Sequence, residues 1–229
     1  MHLFYSNNII DKLATLDDDE CKHALQVLRM RIGDTAQVFD GMGNLYDAVF
    51  IKNQDKQLIA QVTFKYQLQP LPYNLHIAIA PTKQTDRFEW FVEKAIEMGV
   101  HEITPVICHD SVRLNYKTER IHKIKLAACK QAFQLYLPVI NEPVHFVDFI
   151  KKHQAGFIAH CKPENKNSLA NLINRQSRVI MLIGPEGDFT SHEVELALQH
   201  NYKPVSLGNN RLRTETAGIY ISAYMRSLI

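Results

Sequence analysis

Residues Val179 to Ile183 form an uninterrupted apolar run, followed by Gly184-Pro185-Glu186-Gly187 and then by Thr190-Ser191-His192-Glu193. A short continuous apolar run bounded by a turn reads as a strand buried on both faces, and Thr-x-x-Glu is the capping box that opens a helix. Strand, glycine turn, helix puts the turn at the carboxyl end of a strand, where open α/β sheets bind ligands. A second turn of the same kind, Leu207-Gly208-Asn209-Asn210-Arg211-Leu212-Arg213-Thr214-Glu215-Thr216-Ala217, lies between the strand-like Pro204 to Leu207 and a helical stretch over Glu215 to Ser227.

The alternation extends well upstream of these turns. Leu75 to Ala80 predicts a strand, Arg87 to Met98 a helix ended by Gly99, and Ile103 to Ile107 a strand. Thr118 to Leu135 predicts a helix, Phe157 to Ala159 a strand, Ser168 to Arg175 a helix, and Ser191 to His200 another. Strands and helices in turn predict a mainly parallel sheet with helices on both faces, an α/β fold. Before residue 70 the pattern differs. Short runs such as Ala36 to Phe39 and Ala48 to Ile51 are separated by Gly33-Asp34, Asp40-Gly41 and Asn53-Gln54, and one short helix is expected over Asp17 to Arg29. Residues 1–70 therefore read as a small β-rich domain, Gln67 to Pro72 as a linker, and residues 73–229 as the α/β domain.

With 229 residues, 46% of them hydrophobic, the chain has ample material for packed cores. The start Met1-His2-Leu3-Phe4-Tyr5-Ser6-Asn7 has neither a basic nor an apolar leader segment, and no apolar run approaches the roughly 20 residues that span a bilayer. A cytoplasmic location is expected. Cys21, Cys108, Cys129 and Cys161 stand far apart, which suggests reduced thiols rather than a disulfide framework or a metal site. A net charge of +2 does not announce a nucleic-acid partner, but acidic residues outnumber basic ones before residue 70 and the reverse holds after it.

Gly184, Gly187 and Gly208 would let backbone approach a ligand. Neither G-x-x-x-x-G-K-[ST] nor G-x-G-x-x-G is present, so a nucleoside triphosphate or a dinucleotide is disfavoured. Either turn alone is equally well a plain structural cap. Their conjunction with Arg211, Arg213, Thr214, Glu215 and Thr216 at a helix start is what points to a ligand cradle.

Together with Glu93-Lys94-Ala95-Ile96-Glu97-Met98-Gly99-Val100 and Ile103-Thr104-Pro105, the two turns closely resemble the RsmE family of ribosomal RNA methyltransferases, within the SPOUT superfamily. The resemblance continues through His23, Val27-Leu28-Arg29, Gly33-Asp34 and Phe39-Asp40-Gly41-x-Gly43, so it spans essentially the whole chain. It implies an N-terminal PUA-like, RNA-binding β-barrel and a catalytic domain whose C-terminal segment passes through a trefoil knot, an exception to the no-knot rule. It also implies methyl transfer from S-adenosylmethionine to N3 of a uridine in small-subunit ribosomal RNA, by a homodimer and without a metal. The cofactor would be held by His160, by Ile183, Gly184, Pro185, Glu186 and Gly187, and by Leu207, Gly208, Asn209, Leu212, Arg213, Thr214, Thr216 and Ala217.

Uracil N3 carries a proton and is a poor nucleophile until it leaves, so a base or an anion-stabilising group is needed. Arg213 stays charged and suits stabilisation of negative charge on the uracil carbonyl oxygens. Glu215 reads as the proton acceptor, as a holder of Arg213, or as a carboxylate favoured by a helix N-terminus. For RNA, Arg29, Arg31, Arg113, Lys117, Arg120 and Lys123 are candidate phosphate contacts, weighed against ordinary solvated charge. Trp90, at helical spacing among Phe88, Phe91 and Ala95, reads as core. Two departures from the family pattern stand out: Asp188 where a second glycine is common, and the apolar Ala132-Phe133-Gln134-Leu135-Tyr136-Leu137-Pro138 where a polar, arginine-bearing run is common, leaving that segment as core or as a subunit contact. The alternatives to the leading reading are a non-catalytic RNA-binding ribosome-assembly factor and a methyltransferase for another RNA base.

Overall fold

The structure, a computed structural model, describes residues 1–54, 57–111, 117–163, 166–173 and 178–229. The chain divides into two compact units, one of Met1–Pro70 with Cys129–Leu137, the other of Leu71–Ala128 with Pro138–Ile229.

In the first unit, β1 (Leu3–Tyr5), β2 (Ile9–Ile10), β3 (Leu13–Leu16), β4 (Thr35–Phe39), β5 (Asn44–Gln54) and β6 (Gln57–Gln67) form a six-stranded sheet in the order β1-β4-β5-β6-β3-β2. All pairs are antiparallel except β1 with β4. Leu58, Ala60 and Val62 alternate into a core shared with Phe4, Val38 and Phe50, as a half-buried strand requires. The helix expected over Asp17 to Arg29 is shorter. Helix α1 (Asp18–Lys22), capped by Asp17, passes into a π-helical turn at His23–Val27, and Arg29 takes a left-handed φ of 55°. The wider turn brings both Ala24 and Met30 into the core.

Residues 129–137 join this unit, although the sequence places them in the second domain. Helix α3 (Thr118–Ala132) stops three residues before its expected end, because Phe133 is left-handed (φ 56°) and the Gln134 amide returns to the Cys129 carbonyl at 2.9 Å. Leu135 is then fully buried, its carbonyl accepts from the Gly43 amide, and the Leu137 amide donates to the Gly41 carbonyl. The Tyr136 hydroxyl donates to the Leu68 carbonyl, and Lys130 pairs with the buried Glu20 at 2.5 Å. Thus most of the apolar run that departs from the family pattern serves as packing material, with Ala132 and Phe133, the latter 42% exposed, left outside.

The second unit consists of β7 (Asn74–Ile79), α2 (Thr85–Glu97), β8 (Glu102–Ile107), most of α3, β9 (Val139–Ile140), β10 (Val144–His145), α4 (Phe146–Lys152), β11 (Gly156–Ala159), β12 (Asn167–Ser168), α5 (Leu169–Leu172), β13 (Arg178–Ile183), α6 (Ser191–Gln199), β14 (Tyr202–Ser206) and α7 (Thr214–Arg226). Every pairing in its sheet is parallel, in the order β10-β8-β7-β13-β11-β14-β12, with β9 also on β8. Ala78, Ile158, Ile180 and Leu182 meet Phe146 and Phe149 of α4 and Val194 and Ala197 of α6 in one core cluster. Helix α7 packs on β7 and β13 and against α2, so helices cover both faces, as the pattern predicts. No helix among the described residues is long and apolar enough to cross a membrane.

Where α2 crosses α7, a Cβ on Gly218 would collide with the buried ring of Phe91. The bare backbone lets the helices approach closely enough to seat the first turn of α7. Adding a methyl to a packed interface costs about 1–3 kcal/mol, against about 1 kcal/mol returned by helix propensity. Gly218→Ala is therefore expected to lower the thermal unfolding midpoint, by about 2–4 °C per kcal/mol lost, in a differential scanning measurement.

A buried polar group lies in the β7 and β8 strands. His76 is fully buried, with Nε2 2.7 Å from Thr104 Oγ1 and Nδ1 3.4 Å from Glu102 Oε2. Asn141 Nδ2 donates to both Glu102 Oε1 and Thr104 Oγ1 at 2.7 Å. Burial pushes the imidazole from 6.5 down to about 4; Glu102 opposes this, while His153, Arg178 and Lys152 add to it. Burial lowers His101 and His153 as well. Between the two His76 values the unfolded chain binds a proton that the folded chain refuses, so stability is full above pH 6.5 and is lost as pH falls toward 4. The gap corresponds to about 3 kcal/mol. Urea unfolding across that window should show stability dropping with acid, and His76→Asn should flatten the slope by about one proton.

Candidate active site

The carboxyl ends of three neighbouring strands, β11, β13 and β14, open onto one crevice of ≈ 720 Å³. That volume is in the range of small-molecule sites. Among the residues expected to hold a cofactor, His160, Ile183, Gly184, Pro185, Glu186, Leu207, Gly208, Asn209, Leu212, Arg213, Thr214 and Ala217 line it together. Gly187 and Thr216 are not on its wall. Asn210 and Arg211, within the expected second turn, line it too, as do Ala159, Cys161, Lys166, Asp188, Val205, Ser206 and Arg87, which were not expected. Most are sequence neighbours of expected residues. Arg87 comes from α2, and no sequence pattern links it to the turns.

The loops are fastened to each other by side chains. The amide of Asp188 donates to the Pro185 carbonyl at 2.9 Å, closing the Pro185 to Asp188 turn with Asp188 left-handed at φ 73°. A glycine would adopt that φ freely; aspartate tolerates it and repays the strain locally. Its Oδ2 accepts from the Cys161 amide and its Oδ1 from the Phe189 amide, both at 2.9 Å. Lys166 Nζ donates to the His160 carbonyl at 2.5 Å. The hydroxyl of buried Thr214 donates to the Gly184 carbonyl at 3.1 Å, joining the first residue of α7 to the turn after β13. The expected capping box is present, Thr190 accepting from the Glu193 amide, and Glu193 also accepts from the His109 amide at 2.8 Å.

Gly184 has a second role beside the one expected. A Cβ there would meet the buried Phe189 side chain at 2.9 Å, so the missing side chain makes room for the protein's own packing as well as baring backbone to the crevice. Gly208, at φ +119° with open space beside it, is the position whose backbone conformation demands glycine.

Arg213 is the exposed N-cap residue of α7, in extended conformation. Glu215, two residues on, has a side chain only 8% exposed. Its Oε1 lies 3.9 Å from Arg87 Nε, and its Oε2 has no hydrogen-bond partner among the described residues. The first turn of a helix favours a carboxylate, and this one leaves a buried oxygen without a partner among the described residues in the wall of the crevice.

The basic candidates separate. Lys117, Arg120 and Lys123 are exposed and line one shallow recess with Glu119, Ile124 and Ala127, and Arg120 pairs with Glu89 at 2.5 Å. Arg29 and Arg31 are exposed residues of the first unit. Arg113 lies outside the described residues. Trp90 is not core: it is 46% exposed, because it falls roughly 200° around α2 from the buried Phe88.

A parallel α/β sheet with a loop-built crevice at its carboxyl edge, together with a separate β-rich unit, is the form of an RNA methyltransferase. Residues 69–226 match the family model described as RNA methyltransferase domain, and residues 16–63 the one described as RNA methyltransferase PUA domain. The chain belongs to the ribosomal RNA small subunit methyltransferase E family. It is 30% identical to the protein of that name from Rickettsia conorii, over 95% of this chain and 90% of the relative. A probable rRNA-methyltransferase structure from Porphyromonas gingivalis is 37% identical with a TM-score of 0.89, covering 100% of this chain and 98% of the other. The Neisseria gonorrhoeae methyltransferase E, solved bound to S-adenosyl methionine, is 25% identical with a TM-score of 0.88 and the same coverage.

Thr214→Val keeps the shape of the side chain and removes its hydroxyl, stranding a buried carbonyl at a cost of about 1–3 kcal/mol. Denaturant titration should show that loss, with Thr214→Ser close to wild type.

Proposed function

We propose that this chain transfers a methyl group from S-adenosylmethionine to N3 of one uridine in small-subunit ribosomal RNA. In this reading it acts as a homodimer, residues 73–229 form the knotted catalytic domain, and residues 1–70 help to hold the RNA. The observation that carries the proposal is the three-loop crevice with a buried, half-partnered carboxylate in its wall.

The donor set fits the cofactor. Ile183, Val205, Leu207, Leu212 and Ala217 offer apolar walls to a purine, while backbone around Gly184 and Gly208 offers hydrogen bonds. Glu186 and Glu215 complement positive charge, and Lys166, Arg87, Arg211 and Arg213 complement a carboxylate. When bound, S-adenosylmethionine supplies an electrophilic methyl on a sulfonium. The rest of the chemistry falls to the protein: aligning the uracil, excluding water and taking the N3 proton. Glu215 is the acceptor for that proton, with the Arg87 guanidinium 3.9 Å from its Oε1. Arg213 stabilises the negative charge that spreads onto the uracil oxygens. Lys117, Arg120 and Lys123 supply phosphate contacts that position RNA without reading its sequence.

Calorimetric titration with S-adenosylmethionine should show binding, and mass spectrometry of nucleosides from small ribosomal subunits treated with protein and cofactor should show uridine methylated at N3. Absence of cofactor binding would overturn the enzyme reading in favour of an assembly factor, and methylation of another base would overturn the N3 assignment. Arg213→Ala should lower kcat by about 100- to 1,000-fold, the effect of losing a group that stabilises transition-state charge, with a smaller loss of cofactor affinity; an equal loss of both would make Arg213 a cofactor-holding residue only.

A further inference from the structure

Beside the crevice lies a second recess of ≈ 590 Å³, walled by Asp86, Arg87, Trp90, Arg213, Glu215 and Thr216. We propose that this recess is the nucleobase subsite, and that the target uracil lies with its face on the indole of Trp90. The inference rests on the methyltransferase reading and adds to it the place of the acceptor and the residue that stacks on it.

Two independent observations meet here. Arg87, Arg213 and Glu215 line both cavities, so an occupant of the second recess touches the same three groups as an occupant of the crevice. A transfer reaction needs such a shared wall, because donor and acceptor must be brought within contact distance. The unpartnered Glu215 Oε2, on a side chain more than nine-tenths buried, is among the groups of that wall. The wall of the recess thus combines one carboxylate with two guanidinium groups. Uracil presents the matching edge, one N–H at N3 between two carbonyl oxygens, whereas cytosine presents an acceptor at N3 and an amino donor beside it.

Trp90 supplies the remaining requirement. It is the only tryptophan in the chain and 46% of it is exposed, while its helix neighbours Phe88 and Phe91 are buried. An indole at the rim of a polar recess suits the π-face of an unstacked base, and base–aromatic stacking is worth about 1–3 kcal/mol. The base must leave its stack for N3 to be reached.

The test compares wild type, Trp90→Ala and Trp90→Phe for methylation of small ribosomal subunits, with calorimetric S-adenosylmethionine binding and light-scattering mass measured on each. Trp90→Ala is expected to lower kcat/KM for the subunits by about 5- to 150-fold, the range implied by the stacking energy. Trp90→Phe should recover most of it, and cofactor affinity and molecular mass should be unchanged in both. Quenching of Trp90 emission by uridine monophosphate would add direct support. Wild-type kcat/KM in Trp90→Ala would overturn the proposal, as would a loss of activity that tracks a change in mass, which would make Trp90 a subunit contact. Failure of wild type to bind the cofactor would instead overturn the methyltransferase reading itself.

Discussion

The second unit depends on the position of one late strand. Strand β13 is hydrogen-bonded in parallel to β7 on one side, from Arg178 opposite Asn74 to Ile183 opposite Ile79, and to β11 on the other. Residues about a hundred positions apart are thereby placed side by side, and all three strand ends after β11, β13 and β14 open in one direction. A parallel sheet enforces this, since its strands all present their carboxyl ends at the same edge. Burial of β13 on both faces supplies the driving force: Val179, Ile180, Met181, Leu182 and Ile183 are each at most 7% exposed. The crevice follows from the strand order, and the loops determine its chemistry.

Loops at a sheet edge are ordinarily the softest part of a fold. Here bonds within each loop are joined by bonds between segments. Asp188 holds the Cys161 amide, Thr214 holds the Gly184 carbonyl, and Glu193 holds the His109 amide. Each joins a loop to a segment distant in sequence, so the walls of the crevice keep a common geometry. The glycine-to-aspartate departure at position 188 belongs to this scheme. The aspartate accepts a left-handed φ and in return gives two acceptor oxygens to neighbouring amides.

Much of this was legible in the sequence, because it was local. The apolar run 179–183, the glycine turn and the Thr190-Glu193 capping box lie within fifteen consecutive residues, and the same signals mark α7 and its N-terminal arginine. What escaped was non-local. Arg87 reaches Glu215 only because Gly218 lets α7 close on Phe91 of α2, a contact that no spacing within either helix encodes. Trp90 shares an apolar segment with Phe88 and Phe91 but not their side of the helix, so composition misplaced it. The end of α3 was overestimated because Phe133 and Leu135 continue an apolar pattern that tertiary packing overrides with a left-handed residue. The two-residue strands β9, β10 and β12 carry too few residues for any periodicity to register.

The charges at the shared wall of the two cavities divide by exposure in a way that bears on the proposed chemistry. Glu215 is buried and held in the first turn of α7, while Arg213 is exposed and Arg87 is one-third exposed. A fixed carboxylate loses little entropy on accepting a proton, and its partial desolvation strengthens whatever hydrogen bond it makes. An exposed guanidinium is fully hydrated until a ligand displaces that water, so its contribution grows as the site closes around substrate. The arrangement therefore concentrates electrostatic stabilisation in the occupied state. That is the differential binding a transfer enzyme requires, and a surface that only held RNA would have no need of the buried, unpartnered carboxylate oxygen.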